Sequence, residues 1–434
     1  MKQIGIGIIG FGTIGAGVAE GLVKNRDIIA ERAGADIVLR KIADIDITTD
    51  RGVNIPDGIL TTDAGAVVND SEVDIIVELI GGTGIAKKLV CAALAAKKHV
   101  VTANKKLLAQ YGDEIFQLAE ENGVDIYFGA SVGGAIPIIR SLRDGLAGNR
   151  IESIYAILNG TCNYILTTME KDGAAFDDAL KNAQRLGFAE ADPTLDVDGH
   201  DTLHKASILA SIAYGISPDV DALPVEGIRG IVEADDIKFA AEFGYRVKLL
   251  AVIKQAPDAA EVEIRVAPTL VPKDGMLGSV SGVFNAAMVR GDLSGDTLYY
   301  GRGAGRFPTA GTVIGDISDI ARRITSGAAA RAAMPRTTRA IRVKTKGEVV
   351  SRHYVRILLA DNPGALAAAT GVFAKHAVSI SAVAQKGVPE DSGGLATVVI
   401  LTHKTRQDSI DAALAEIEAL PCSGGKPRRL GIEE

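Results

Sequence analysis

The chain has 434 residues, 47% of them apolar, a formal net charge of -7, three cysteines and no tryptophan. That length exceeds one ordinary core and predicts about two or three domains. The acidic balance and the lack of a basic aromatic patch argue against nucleic acid as a partner, and no apolar run reaches the roughly 18 residues of a membrane span. Cys91, Cys162 and Cys422 are too scattered for a disulfide framework or a zinc site, and with no signal peptide evident a cytoplasmic protein acting on a small molecule is expected.

Residues 4–9 predict an apolar strand running into Gly10-Phe11-Gly12-Thr13-Ile14-Gly15, followed by Val18, Leu22 and Val23 at helical spacing. In this setting G-x-G-x-x-G has a physical reading. The first glycine makes a tight turn, the second lets a pyrophosphate approach the backbone, and the third lets helix pack on strand, with the phosphate at the helix N-terminus. Without a ligand the same pattern is a close strand-helix turn. A second strand, 37–43, ends at Asp44, where a carboxylate accepts hydrogen bonds from ribose hydroxyls and favours NAD over NADP, although Arg51 lies near enough in sequence to offer a phosphate partner.

Residues 73–79 read as a continuous apolar strand of a buried parallel sheet, ending at Ile80-Gly81-Gly82-Thr83, where Gly82 and Thr83 suit backbone and hydroxyl contacts to a cofactor. The strand 99–102 leads to Lys105, placed at a strand's carboxyl end where open α/β sheets bind ligands; its bland reading is a solvated lysine at a helix start. A helix at 115–119 and a strand at 124–128 follow. The stretch from Gly129 through Val132, Gly134 and Ile136 to Pro137 offers irregular backbone whose carbonyls either ligate a hard cation or simply turn the chain. Asn159, Thr161 and Asn163 follow a strand and open a helix; they face a ligand, or Asn159-Gly160 is only a turn.

Residues 186–209 concentrate charge: Glu190, Asp192, Asp196, Asp198 and Asp201 precede Lys205. Pro193 and Gly199 keep the first part in a loop, and from Asp201 the spacing of Leu203, Ala206, Ile208, Leu209 and Ile212 is helical. Asp201 and Lys205 then share a face, so the carboxylate keeps the ammonium charged and aims it. A surface pair worth about 0.3–0.5 kcal/mol is the plain alternative. The other carboxylates would repel one another unless something cationic binds. His200 and His204 form H-D-x-x-H, one methylene short of a zinc-hydrolase motif, a remote alternative reading.

Residues 231–298 suggest a mixed sheet, and the glycine-rich loop at Gly303 before a helix suits a phosphate or nicotinamide. Residues 326–351 look like a solvated linker. The last part reads strand, helix, strand, strand, helix, strand, the ferredoxin-like plan, with the turn Asp361-Asn362-Pro363-Gly364 before Ala365 and Leu366.

Taken together, Asn159 to Leu166, the block from Glu190 to Lys205, the run from Val101 to Lys105, and Gly303-Ala304-Gly305 with Pro308-Thr309-Ala310 make the chain resemble homoserine dehydrogenases that carry a C-terminal ACT regulatory domain. The resemblance spans essentially the whole chain. It implies an α/β protein with a Rossmann-like domain at 1–134 (and a returning segment near 303–325), an α+β catalytic, substrate-binding and dimerisation domain with a mixed sheet at 135–302, a linker at 326–351 and an ACT-like domain at 352–434. It implies NAD(P)-dependent, reversible reduction of L-aspartate 4-semialdehyde to L-homoserine on the route to threonine, methionine and isoleucine. Lys205 is then the proton donor, oriented by Asp201; Glu190 takes the substrate ammonium with support from Asp196, Asn159 and Thr161; Lys105 neutralises charge where substrate meets nicotinamide. A sodium ion on the carbonyls of Gly129, Val132, Gly134 and Ile136, a homodimer or homotetramer, and feedback by threonine at Asp361, Asn362, Gly364, Ala365 and Leu366 complete the expectation. The chain departs from the family pattern at Gly129, usually Glu, at Ala156, usually Gly, and at Ile85, often Pro. Asp44 departs from the members that bind a 2′-phosphate with arginine. The alternative within the same fold is a catalytically silent amino-acid-binding regulator.

Overall fold

The computed structural model describes residues 1–256, 259–331, 334, 340–386 and 394–434. They divide into one unit of Met1–Ile151, His204–Asp221 and Asn285–Ala340, and another of Glu152–Leu203, Ala222–Phe284 and Ile341–Glu434.

The first unit is built on strands β1 (Lys2–Ile9), β2 (Ala35–Ala43), β3 (Leu60–Thr61), β4 (Ile75–Glu78), β5 (His99–Thr102) and β6 (Ile126–Tyr127), in the order β3-β2-β1-β4-β5-β6. Every neighbouring pair is parallel. Parallel strands are covered on both faces, which is why Ile4, Ile6, Ile8, Ile75, Val77 and Val101 are all fully buried in one cluster. The strand order reverses between β1 and β4, and a crevice at such a switch point, beyond the strands' carboxyl ends, is where doubly wound sheets take ligands. Helix Thr13–Lys24 packs against the 21-residue helix Arg306–Ser326. The approach is close enough to demand glycine: a Cβ on Gly17 would stand 2.8 Å from Arg306 Cγ, and one on Gly21 2.5 Å from Ile314 Cδ1.

The later strands are β7 (Ile151–Ile157), β8 (Tyr245–Lys254), β9 (Glu261–Pro272), β10 (Phe284–Gly291), β11 (Gly295–Arg302), β12 (Arg342–Val343), β13 (Val350–Ala360), β14 (Ile380–Lys386), β15 (Leu395–Thr402), β16 (Thr405–Arg406) and β17 (Arg428–Ile432). In the second unit they run β7-β8-β9-β17-β13-β15-β14. The sheet is mixed: β8 is antiparallel to β7 and β9, β17 is parallel to β9, and β13 is antiparallel to β17 and β15. The order β17-β13-β15-β14, with helices Ala365–Lys375 and Gln407–Glu418 over one apolar cluster, is the ferredoxin-like plan expected from the sequence.

Some local expectations change. The helix expected at 115–119 runs from Lys105 to Asn122, bent at Tyr111 (φ -132°), and the loop around Pro193 contains the short helix Thr194–Val197. The stretch read as a linker opens inside the helix ending at Ser326 and closes with β12 paired to β9; its residues 332, 333 and 335–339 lie outside the described residues. Its charge is not merely solvated, because Arg342 pairs with Glu348 at 2.7 Å and with Glu261.

Candidate active site

At the carboxyl end of the first unit's sheet, the three glycines of the opening motif do separate jobs. Gly10 takes φ +103°, and a Cβ there would lie 2.7 Å from the Leu79 backbone; on Gly15 it would meet the Gly10 carbonyl oxygen at 2.0 Å. On Gly12 it would meet nothing within 4 Å, at the N-terminus of helix Thr13–Lys24, which no side chain caps. The first and third glycines are thus required by packing, and the middle one leaves open a cradle of N–H groups that fits a pyrophosphate. Asp44 reaches this turn: its Oδ2 accepts the Phe11 N–H at 2.5 Å and its Oδ1 the Asp46 N–H at 2.9 Å. Arg51, the candidate phosphate partner, is paired with Asp46 at 3.0 Å.

Gly82 has φ +68° with open space where a Cβ would stand, and Thr83 precedes helix Gly84–Ala95 without spending its side chain on the cap. Lys105 is the half-buried first residue of its helix, with Lys106 exposed beside it; Asn104 caps that helix by accepting the Leu107 N–H at 3.1 Å. Gly303 is glycine for a packing reason, since a Cβ would fall 2.1 Å from the Asn285 amide.

The segment from Gly129 to Ile136 is buried except at the half-buried Gly129 and the exposed Ala135, and it turns where the Ile136 N–H donates to the Gly133 carbonyl at 2.9 Å. The Gly129 N–H donates to Asp316 Oδ2 at 2.8 Å, and the Gly134 carbonyl accepts the Thr312 hydroxyl at 2.7 Å. Where the resemblance expects a glutamate at 129, the missing side chain leaves room for Asp316, whose oxygens lie about where a Cβ would point, at 2.9 and 3.0 Å. Burial pushes the Asp316 carboxyl up to about 6. Among the described residues no three His, Cys, Asp or Glu side chains gather as a metal cluster, and of the two histidines of H-D-x-x-H, His200 is exposed while His204 is buried.

In the second unit the carboxylate-rich stretch is resolved into pairs. Asn159 ends the turn after β7 and caps helix Gly160–Asp172 by accepting the Cys162 N–H at 2.8 Å, an arrangement worth about 1 kcal/mol. Its two amide hydrogens go to Asp196 Oδ1 at 2.6 Å and Asp201 Oδ2 at 2.9 Å. Thr161 adds a hydroxyl contact to Asp196 at 3.2 Å and donates to the Phe188 carbonyl at 2.5 Å. One side chain therefore holds two acidic groups together. Asp198 is paired with Arg229 at 2.6 Å, and Asp192 accepts the Thr194 N–H at 3.1 Å, which with the Thr194 side chain holds its carboxyl below the usual range. The repulsion expected among these acids is thus met largely from inside the protein, by an arginine 31 residues downstream of Asp198. Glu190 remains exposed. Helix His200–Tyr214 begins in the second unit with Asp201 and continues, from His204, in the first with Lys205 one turn on; the two are 6% and 9% exposed.

The turn before helix Ala365–Lys375 lines a cavity of about 320 Å³ with Asp361, Asn362, Ala365, Leu366, Gln385 and Val398, and Gly364 takes φ +95° at the helix start. A larger cavity of about 690 Å³ in the first unit, beside Tyr111, Asp113 and Ser217, holds none of the expected site residues.

Family models match in three consecutive blocks: the homoserine dehydrogenase NAD-binding domain at 10–129, homoserine dehydrogenase at 137–318 and an ACT domain at 353–422. A homoserine dehydrogenase of Neisseria gonorrhoeae is 45% identical over 426 residues, 97% of either chain. The chain belongs to the homoserine dehydrogenase family. A crystal structure of a homoserine dehydrogenase from Thiobacillus denitrificans superposes with a TM-score of 0.93 at 42% identity, covering 100% of this chain and 99% of that one. A hyperthermophilic archaeal homoserine dehydrogenase in complex with NADPH matches with a TM-score of 0.62 at 31% identity, over 73% of this chain and 96% of its own. Membership makes the chain an oxidoreductase with a nicotinamide-binding domain. Family motifs point to Lys205, Asp201 and Lys105, but not to Glu78, which is fully buried at the end of β4 in a run read as continuously apolar. The signal was available: Glu78 closes the sequence Ile-Ile-Val-Glu, where an apolar residue would satisfy the sheet.

Proposed function

We propose that the protein catalyses the reversible reduction of L-aspartate 4-semialdehyde to L-homoserine, on the route to threonine, methionine and isoleucine. Residues 1–134 and 303–325 serve the cofactor, 135–302 the substrate and dimerisation, and 352–434 regulation. The observation that carries this reading is the burial of an amine and a carboxylate one helical turn apart, Lys205 and Asp201, with Asp201 held by the Asn159 amide. Desolvating such groups is costly and is repaid where an alkoxide must be met by a proton.

The nicotinamide ring supplies or accepts the hydride. Gly10, Phe11, Gly12, Thr13, Ile14 and Gly15 would hold the pyrophosphate against backbone N–H groups, and Gly82, Thr83 and Gly303 would add contacts to the same cofactor. Lys205 Nζ gives a proton to the carbonyl oxygen as that oxygen gains charge, and takes it back in the reverse direction. Asp201 orients Lys205, and Lys105 neutralises charge beside the reacting carbonyl. Glu190 and Asp196 take the substrate ammonium, and Asn159 and Thr161 set the direction of Asp196. Asp44 favours NAD because a carboxylate at the end of the second strand accepts hydrogen bonds from ribose hydroxyls; the archaeal relative's complex with NADPH keeps NADP within this reading. A structural sodium on the carbonyls of Gly129, Val132, Gly134 and Ile136 belongs to it through the resemblance alone and carries no step. Threonine acts as feedback effector at the cavity of Asp361, Asn362, Ala365 and Leu366 beside Gly364, in a cytoplasmic homodimer or homotetramer. In a purified preparation that oxidises homoserine, Lys205→Ala lowers kcat by roughly 10² or more, the range general acid catalysis contributes, with unchanged folding. A near-normal rate rejects Lys205 as the donor.

A further inference from the structure

The most expensive group at the cofactor end of the first unit is one that no motif points to. Glu78 is 0% exposed and closes β4 after Ile75, Ile76 and Val77, which are also 0% exposed. Removing a carboxylate from water costs several kcal/mol, and an apolar residue would fill the same place more cheaply. Its contacts explain the choice. Oε1 accepts the N–H groups of Ile80 at 3.0 Å and Gly81 at 3.3 Å, and Oε2 accepts the Thr102 hydroxyl at 2.6 Å from the paired position on β5. The Thr102 oxygen in turn accepts the Asn104 N–H at 3.0 Å, and the Asn104 amide donates to the Gly82 carbonyl at 2.7 Å. The bonds close a ring. Its members are the left-handed turn of Gly81 (φ +72°) and Gly82 (φ +68°), and the cap of the helix that starts at Lys105. Burial pushes the Glu78 carboxyl above the usual carboxylate range, against the hydrogen bonds from Thr102, Gly81 and Ile80, which favour its charged form.

We infer that Glu78 is a positioning residue for the dehydrogenase reaction: its buried carboxylate fixes the loops after β4 and β5 at the spacing that receives the nicotinamide cofactor and presents Lys105. The inference rests on the proposed function. Glutamine keeps the ring's connections, since its carbonyl accepts the two N–H groups and its amide donates to the Thr102 oxygen, losing only the acceptor of the Thr102 hydroxyl hydrogen; leucine fills the volume and makes no bond.

The test titrates NADH and NADPH into wild type, Glu78→Gln, Glu78→Leu and Thr102→Val, following reduced-nicotinamide fluorescence, with hydrogen exchange of residues 80–83 and 104–107 and thermal melting in parallel. Glu78→Leu is expected to melt near wild type, to bind the preferred cofactor about tenfold to a hundredfold more weakly, as mispositioned groups do, and to exchange faster in both loops. Glu78→Gln is expected within about threefold of wild type. A folded Glu78→Leu protein that binds like wild type overturns the inference. If leucine prevents folding, Thr102→Val decides: weaker binding supports the ring, and unchanged binding overturns it. Wild type that binds neither NADH nor NADPH overturns the functional reading and this inference with it, whereas normal wild-type binding with indifferent variants overturns the inference alone.

Discussion

Two acids of the first unit, Glu78 and Asp316, and two of the second, Asp236 and Glu433, are satisfied by different chemistry, although Asp125 of the first also faces Arg323 at 3.4 Å. In the first, Glu78 leans on the Thr102 hydroxyl and two backbone N–H groups, and Asp316 on the Gly129 N–H, with Arg140 3.7 Å away. In the second, the fully buried Asp236 is held by the Arg356 guanidinium at 2.6 Å and the Tyr354 hydroxyl at 3.1 Å, and Glu433, just past β17, takes Lys254 at 3.0 Å, Arg265 and the Tyr155 hydroxyl at 3.3 Å. Neutral donors fix the direction of a loop without locking it, which suits backbone that receives a ligand. Charge pairs in a dry interior bind tightly and punish the loss of one partner. The second arrangement joins the ACT-like strands to the sheet of β7, β8 and β9: Arg356 lies on β13, Asp236 belongs to helix Ala234–Glu242, and β17 pairs directly with β9.

The largest effect expected from this contrast is that of Arg356→Ala, which strands Asp236 and costs about 3–5 kcal/mol in denaturant unfolding. The double variant Arg356→Met with Asp236→Asn recovers most of that loss. A cost below about 1 kcal/mol for the single variant would erase the distinction between the units.

Acid sharpens it next. His353 on β13 is fully buried, and burial, with Arg429 and Arg265 nearby, holds its imidazole down to about 3. The unfolded chain takes up its proton near the ordinary value of 6.5, so stability from this residue is present above 6.5 and is lost as pH falls toward about 3. By about pH 4 the loss is on the order of 3 kcal/mol, and His353→Gln flattens it. Asp316 in the first unit has the opposite sign. Its folded value of about 6 exceeds the ordinary 3.8, so its contribution is present below 3.8 and is lost as pH rises through about 6. That change is on the order of 3 kcal/mol. Asp316→Asn removes it, and hydrogen exchange read separately from β1 and β13 between pH 4 and 6, where roughly these windows overlap, distinguishes the two slopes. Equal responses in both strands would break the comparison.

What was legible in the sequence follows the range of the interactions. The glycine motif and the ferredoxin-like rhythm are local, so residue type and spacing announce them. The partners of the buried charges are not local. Arg229 neutralises Asp198 from another segment, Asp316 fills the space left by Gly129, and β12 and β17 join a strand formed far earlier in the chain. The acid at Glu78 was visible, but its role was hidden for another reason. A single acid at the end of an apolar strand resembles the start of a loop until Thr102 is seen opposite it.

The central claim is tested most directly by a steady-state assay of homoserine-dependent reduction of NAD and NADP, each with and without threonine. The account predicts turnover that favours NAD and falls as threonine is added. Absence of turnover with both cofactors, in a folded preparation, would contradict it.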